Sequence, residues 1–444
     1  MVSSSHLLKE IFNHDFAACK DETEFHRFFF DTSHDLEELA KLCDFILGEQ
    51  IEIAGKIIPA AIRIPGNTKA EQPFVVLAQL HGNEPAGLAG ILIAMALSEA
   101  GRLKQDVIGI IGNPLAAKQY FEAWKTAPTT RQETRDAYRC GLDAAGNLLP
   151  DMNRIPVDFM KQSTDVPHIK RAQELYHLGQ HASGIADLHT ARGNMICITD
   201  HKRDADLKFS PIRSVLTELA DAISGHASGT VTVQTLKTIL SPLANIECQI
   251  GIEAGRHEEI YAPHVAASFV LSLFNTLQLT DTKPLHSKEN GMFDRYSVQP
   301  RITYADLQIQ GNVMPDDEIY MVTECKAADS IPKQSTQVVV HKKDGSYALQ
   351  TILENIISPS GELLYAVYQY DEMVHLKKDQ VVAIAIPSGT TFKAPQELWG
   401  IFFSKSGALY DKDPAVGPWP VKAEDISKIK FCYPCVKSKM KIEF

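Results

Sequence analysis

Seven consecutive residues, Phe74-Val75-Val76-Leu77-Ala78-Gln79-Leu80, carry a single polar side chain, and a short apolar run of this kind is expected to be a buried strand. The run leads into the turn His81-Gly82-Asn83-Glu84, and Pro85-Ala86-Gly87 then opens a helical stretch from Leu88 to Ala100. Proline stands there at a first-turn position, where its missing N–H does no harm. Strand and helix signals go on alternating as far as about Leu279. Strands are expected at Val107–Ile111, Gly184–Leu188, Met195–Thr199 and Cys248–Glu253, and helices at Pro167–Gln180, Pro211–Ser224 and Pro263–Leu279. Such alternation predicts an α/β fold, a sheet with helices on both faces.

The flanks read differently. Residues 1–50 are helical in pattern, with apolar positions at helical spacing in Asp35–Leu47, and Ile51–Pro65 alternates as a strand or hairpin entry. Beyond Asp281-Thr282-Lys283-Pro284, short β-type runs at Tyr296–Tyr304, Glu318–Thr323, Gln337–His341, Leu363–Gln369 and Val381–Ile386 are parted by Gly, Pro, Asp and Asn. The expected organisation is a helical extension over 1–50, an α/β domain over 51–282 and an all-β domain over 290–444.

Composition bounds the function classes. A chain of 444 residues with 44% hydrophobic and 22% charged residues can bury a large core. A formal charge of −11 speaks against nucleic acid, which demands clustered Lys and Arg, and the basic tail Lys437–Lys441 reads as a solvated end. The longest apolar run, Ala86–Leu97, is 12 residues, short of the ~20 that a membrane span needs, so no membrane partner is expected. The first ten residues lack the apolar core of a signal peptide, and the eight cysteines are too scattered for a disulfide frame. A cytoplasmic location with reduced thiols follows as the expectation. Cys432-Tyr433-Pro434-Cys435 reads as two thiols on a terminal strand, because no second CxxC completes a set of four ligands.

Chemistry in α/β sheets gathers at the C-terminal ends of strands. His81 and Glu84 follow one strand, His189 ends another in Gly184–Thr190, and Glu253 closes a third in Gln249–Gly255. A His and a Glu three residues apart are half of a His₂Glu zinc site, which needs one further histidine and an open position for water. Asp187, two residues before His189 on a strand, shares its side and is placed to orient the ring. Asp151-Met152-Asn153-Arg154 sets an amide beside a guanidinium, a clamp for a substrate carboxylate. Glu253 lies in an apolar strand, where burial would raise its pKa toward general-base use. Each piece also has an ordinary structural reading: His189 as a satisfied core histidine, the Asp-Met-Asn-Arg run as a helix cap with a surface arginine, Glu253 as one arm of an ion pair.

Taken in order, His-Gly-Asn-Glu at 81–84, Gly112-Asn113-Pro114, Asp-Met-Asn-Arg at 151–154, Asp-Leu-His at 187–189 and Ile-Glu-Ala-Gly at 252–255 resemble the succinylglutamate desuccinylase/aspartoacylase family of the zinc carboxypeptidase clan. The resemblance spans roughly residues 70–280, with Met152 where the family often has Leu. It implies a zinc-carboxypeptidase-like mixed sheet flanked by helices, with the C-terminal β domain narrowing access to the zinc. It further implies a Zn2+ cofactor held by His81, Glu84 and His189, Glu253 as general base, and Asn153 with Arg154 on the α-carboxylate of a small N-acyl amino acid. An arginine upstream of that pair polarises the scissile carbonyl in the family. Arg139 is the candidate, although Cys140–Pro150 is a longer spacing than the family's, which keeps Arg131 and Arg135 open. Arg192 and Arg256 lie close in sequence to the site and can receive a second carboxylate or stand as surface arginines.

The implied reaction is hydrolysis of the amide bond of an N-acyl amino acid. A metallocarboxypeptidase acting on short peptides would use the same groups, and a non-catalytic binding protein on the same fold is the alternative from another class. The sequence leaves the acyl group and the oligomeric state open, a homo-oligomer being the commonest outcome for soluble enzymes.

Overall fold

The computed structural model describes residues 4–30, 35–126, 138–147, 149, 151–155, 163–191, 196–200, 231–234, 248–257, 262–283, 292–298, 302–303, 306–325, 337–351, 363–367, 372–402, 421–423 and 430–441. The chain divides into two units, 1–296 together with 438–444, and 297–437.

In the first unit, helices α1 (Ser4–Phe12), α2 (Glu22–Phe30) and α3 (Leu36–Leu47) precede a hairpin of β1 (Gln50–Ile53) and β2 (Lys56–Pro59). Then come β3 (Ala61–Ile64), β4 (Phe74–Ala78), α4 (Leu88–Glu99), β5 (Val107–Ile111), α5 (Pro114–Thr126) and α6 (Pro167–Gln180). The unit continues through β6 (Gly184–Ala191), β7 (Ile196–Asp200), β8 (Val231–Gln234), β9 (Cys248–Arg256) and α7 (Ala262–Thr276). The helix expected at Pro211–Ser224 lies outside the described residues.

These strands form a mixed sheet in the order β8-β7-β9-β6-β4-β5-β3. β4 runs parallel to β5 and β6, and β6 parallel to β9, while β3 and β7 are antiparallel to their neighbours β5 and β9. The chain leaves β4 toward β5 on one side and leaves β6 toward β7 on the other. Adjacent parallel strands whose exits diverge open a crevice at their C-terminal ends, where ligands of such sheets bind.

Period-two alternation sends Phe74, Val76 and Ala78 of β4 to one core cluster, and Val75 and Leu77, equally buried, to the opposite side. Helix α4 is apolar all round, and every residue from Leu88 to Leu97 is buried. Its inner side packs on β4 and its neighbour α7, and its outer side meets α1 and α3. Leu7, Phe16, Phe25 and Phe29 of the N-terminal segment therefore belong to the same core as Ile91 and Phe269. Each fully buried Leu, Ile or Phe contributes about 1.5–3 kcal/mol, so the N-terminal helices are a structural layer of this unit. Among the described residues no helix is long and apolar enough to cross a membrane.

The second unit contains a separate antiparallel sheet. Its strands follow the order Gln308–Gln310, Thr391–Lys393, Val381–Ile386, Glu318–Cys325, Leu363–Val367, Gln337–His341 and Tyr347–Thr351. Alternation again serves both faces: Tyr320, Val322, Val339, Tyr365 and Ile384 form one cluster, and Cys325, Val338, Val340 and Leu364 another. Cys432 and Cys435 lie on the strand Lys430–Lys441, opposite Phe402 and Trp399.

Candidate active site

β4 ends where Gln79 adopts a left-handed φ of 49°, which turns the chain out of the sheet at the crevice. The Gln79 amide donates to the Gly82 carbonyl at 3.1 Å, closing the turn that carries His81 and Glu84. Gly82 itself is wedged: a Cβ there would lie 2.4 Å from the Ala116 carbonyl oxygen and 2.6 Å from that of Tyr138. Its N–H donates to the Arg139 carbonyl at 2.9 Å. Gly82→Ala is therefore expected to force the turn away from α5 and the Tyr138 segment, at about 1–3 kcal/mol. Thermal unfolding and metal titration should both register it; an alanine variant with unchanged melting and metal affinity would show that the site is not wedged.

The turn and the end of β6 bring three donor groups together. His81 Nδ1 lies 2.8 Å from Glu84 Oε1, and His189 Nδ1 lies 2.8 Å from Glu84 Oε2. Ligand atoms of His81, Glu84 and His189 fall within 4.8 Å of one another, and all three residues are buried. Thr190 N–H donates to Glu84 Oε2 at 3.2 Å, and the Arg139 guanidinium donates to Oε1 at 3.3 Å.

The outer nitrogens of both rings face further carboxylates. His81 Nε2 is 3.1 Å from Asp151 Oδ1, an oxygen that also accepts the Asn153 N–H at 2.8 Å. His189 Nε2 is 3.0 Å from Asp187 Oδ1, an ion-pair distance without hydrogen-bond geometry. Each imidazole is thus bracketed by carboxylate oxygens at both nitrogens. A neutral ring has one N–H for two acceptors, so each ring needs either a second proton or a cation between its Nδ1 and Glu84. Glu84, Asp151 and Asp187 have side chains 1%, 6% and 2% exposed, and among the described residues the Arg139 guanidinium meets the first two. A buried excess of negative charge of this kind suits a divalent cation, and two imidazoles with a carboxylate are the donor set that zinc takes.

The same crowding sets the protonation states. Burial alone would raise the Glu84 pKa, but His81 and His189 hold it well below the ordinary value. Burial lowers that of His189, but Asp187 and Glu84 outweigh it and raise it well above the ordinary value. A metal binding there displaces protons, so its affinity falls as pH falls. Burial pushes down the Arg139 guanidinium as well, and Asp151 and Glu84 more than restore it, so it stays charged.

Glu253 is the register partner of His189 across the parallel pair β6–β9. Its Oε2 is shielded from solvent and has no hydrogen-bond partner among the described residues. Burial and the neighbouring Glu84 raise its pKa to about 7, with His189 and Arg139 opposing. A carboxyl with a free, desolvated oxygen and a pKa near neutrality is equipped to take and return a proton.

Arg139 reaches the site despite its distance from Asp151 in sequence, because the intervening chain folds back on itself. Asp143 Oδ1 accepts the N–H groups of Ala145 and Asn147, and Leu149 N–H donates to the Gly141 carbonyl at 2.9 Å. This closed loop returns the chain so that Arg139 Nη2 lies 3.6 Å from Asp151 Oδ2. The Arg139 side chain is 32% exposed, against 1% for Glu84, and so keeps an accessible side.

Of the remaining candidates, Asn153 is buried in the short 3-10 turn Met152–Arg154, capped by the Asp151 side chain. Arg154 ends that turn, and Arg256 pairs with Ala191 at the end of β9. Arg131, Arg135 and Arg192 lie outside the described residues. Asp151, which meets His81 Nε2, has no role in the sequence analysis beyond opening the Asp-Met-Asn-Arg run.

No protein-family model matches this sequence, and no curated protein does. Solved structures do match, and those similar to this chain include succinylglutamate desuccinylase/aspartoacylase family proteins. One is the succinylglutamate desuccinylase/aspartoacylase of Rhodobacter sphaeroides, with 12% identity and a TM-score of 0.46, covering 87% of this chain and 90% of that one. Murine aminoacylase 3 has 15% identity and a TM-score of 0.41, covering 83% and 96%. The Vibrio parahaemolyticus succinylglutamate desuccinylase has 15% identity and a TM-score of 0.43, covering 87% and 86%.

Proposed function

We propose that this chain is a zinc-dependent hydrolase that cleaves the amide bond of an N-acyl amino acid. The observation that carries the reading is the convergence of His81, Glu84 and His189 at the diverging ends of β4 and β6, with Glu253 on the adjoining strand, its Oε2 without a partner among the described residues. The resemblance of the Asp-Met-Asn-Arg and Ile-Glu-Ala-Gly runs to the aspartoacylase family supplies the substrate class.

His81, Glu84 and His189 would hold the zinc, which when bound supplies Lewis acidity toward an amide carbonyl and a water. The chain's own groups do the rest. Asp151 keeps an N–H on the outer nitrogen of His81, so the inner lone pair faces Glu84, and the charge of Asp187 beside His189 favours the same arrangement there. Glu253 takes a proton from the attacking water and delivers it to the leaving nitrogen. Arg139 offers N–H donors where negative charge grows on the carbonyl oxygen. Asn153 and Arg154 fix the α-carboxylate, which converts substrate binding into alignment of the scissile bond. Arg192 and Arg256 are available for a carboxylate on the acyl group or side chain.

Protein purified without chelator should contain about one zinc per chain, measured by elemental analysis. Chelation should abolish hydrolysis of N-acyl amino acids and zinc should restore it. Amidating the substrate α-carboxylate should cost most of kcat/KM. Active metal-free protein would end this reading, and preference for short peptides over acyl amino acids would make the chain a carboxypeptidase.

A further inference from the structure

The segment Tyr138–Leu142 carries Arg139 into the site without belonging to any helix or strand. Its position is set by bonds from elsewhere. The Arg139 carbonyl accepts Gly82 N–H at 2.9 Å, and the Cys140 carbonyl accepts Asn113 Nδ2 at 3.1 Å. The firmest hold comes from helix α5. Gln119 Nε2 donates to the Leu142 carbonyl at 2.9 Å, and Leu142 N–H donates to Gln119 Oε1 at 2.7 Å. One side-chain amide thus satisfies both backbone groups of a single residue, as a neighbouring strand would.

We propose that Gln119 is a positioning residue for Arg139, fixing through Leu142 the segment that presents the guanidinium to the site. The inference rests on the reading of Arg139 as a group that acts on the substrate. The loop beyond Leu142 closes on itself through Asp143 and Asn147, bonds that return the chain toward Asp151 but do not anchor it to the helix. Asn113 caps the same helix, its Oδ1 accepting Ala116 N–H at 3.1 Å. The arginine's backbone is therefore registered to α5 at two points, Cys140 through Asn113 and Leu142 through Gln119. Arg139 meets both Glu84 and Asp151, so a shift of this segment moves the donor that the carbonyl oxygen requires. The metal-ligating groups also have bonds of their own, the Gln79 amide to the Gly82 carbonyl and Glu84 to His81 and His189. Displacing a catalytic group by about 1 Å costs on the order of 10²-fold in rate.

The test is a double-mutant cycle on the zinc-loaded full chain, with zinc content and amide exchange as independent readouts. Gln119→Leu keeps the side chain's bulk and removes both bonds. It is expected to lower kcat by roughly 10–100-fold with KM nearly unchanged, and to leave zinc content at the wild-type value. In an Arg139→Ala background the same substitution should change kcat less than about twofold. Amide exchange on metal-free protein should accelerate at Leu142 and at Gly82, with the β4 amides unaffected. Gln119→Glu retains the acceptor for Leu142 N–H but sets a carboxylate against the carbonyl, and should lower kcat in the same way should the leucine variant not fold. An equal loss in both backgrounds, or wild-type kcat in the Gln119 variants, overturns the proposal. Arg139→Ala with wild-type kcat instead removes the reading of the arginine itself, and this single variant tells the two failures apart.

Discussion

Glu253→Gln should lower kcat by about 10²–10⁴-fold, the usual worth of a positioned general base, while zinc content and thermal stability stay near wild type. The amide keeps the size and the hydrogen-bonding edge of the carboxylate but cannot take up a proton from water at neutral pH. Among the described residues Oε2 of Glu253 has no hydrogen-bond partner for the change to break. An ion-pair arm would respond in the opposite way, losing stability before rate. Loss of metal in the glutamine variant would make Glu253 a ligand, and full activity would remove it from the mechanism.

The pH dependence has a definite sign. A base works deprotonated, so activity rises with pH through the pKa of this carboxyl, which burial and Glu84 push up to about 7. A bound dication draws that value down, because it favours the charged form. The acid limb of the kcat/KM profile is therefore expected at or below pH 7.

Much of the architecture was legible because the strands are apolar runs bounded by turn residues. Val107–Ile111, Gln337–His341 and Val381–Ile386 begin and end where the pattern places them. In the C-terminal unit the strands Tyr347–Thr351 and Thr391–Lys393 carry too little apolar pattern to be read, and other departures sit at the site. β4 stops at Ala78, two residues early, because Gln79 turns left-handed inside the apolar run. β6 and β9 run on to Ala191 and Arg256, since parallel pairing continues through His189 and Glu253 after the pattern has turned polar. Helix α5 is announced only by its start, Asn113 as cap and Pro114 in the first turn, since Lys118, Gln119, Glu122 and Lys125 break up its apolar pattern. Asp151 and Gln119 leave no trace in local pattern. One meets a ring 70 residues upstream and the other a backbone 23 residues downstream, contacts that only the tertiary fold creates.

The largest effect on the metal should come from Glu84→Gln, and its meaning lies in comparison with Asp151→Asn. Glu84 holds both rings, with Oε1 and Oε2 each 2.8 Å from a histidine Nδ1, and it supplies the negative charge nearest the donor nitrogens. A neutral amide offers no anionic ligand. Its NH₂, placed at Oε1, would also meet the Arg139 donor that Glu84 now satisfies at 3.3 Å. Asp151 acts one step further out, on the far nitrogen of His81, where such partners are worth about 10–100-fold in metal affinity. Glu84→Gln is accordingly expected to weaken zinc binding by more than about 10²-fold and to abolish turnover, and Asp151→Asn to fall within the smaller range and keep measurable activity. Competition titration against a chromophoric chelator resolves the two. Should the cluster be a structural network of buried ion pairs, the order changes: both variants would lower the melting temperature and neither would alter zinc affinity. Equal losses of zinc in the two variants would place Asp151 among the ligands and call for a different donor set.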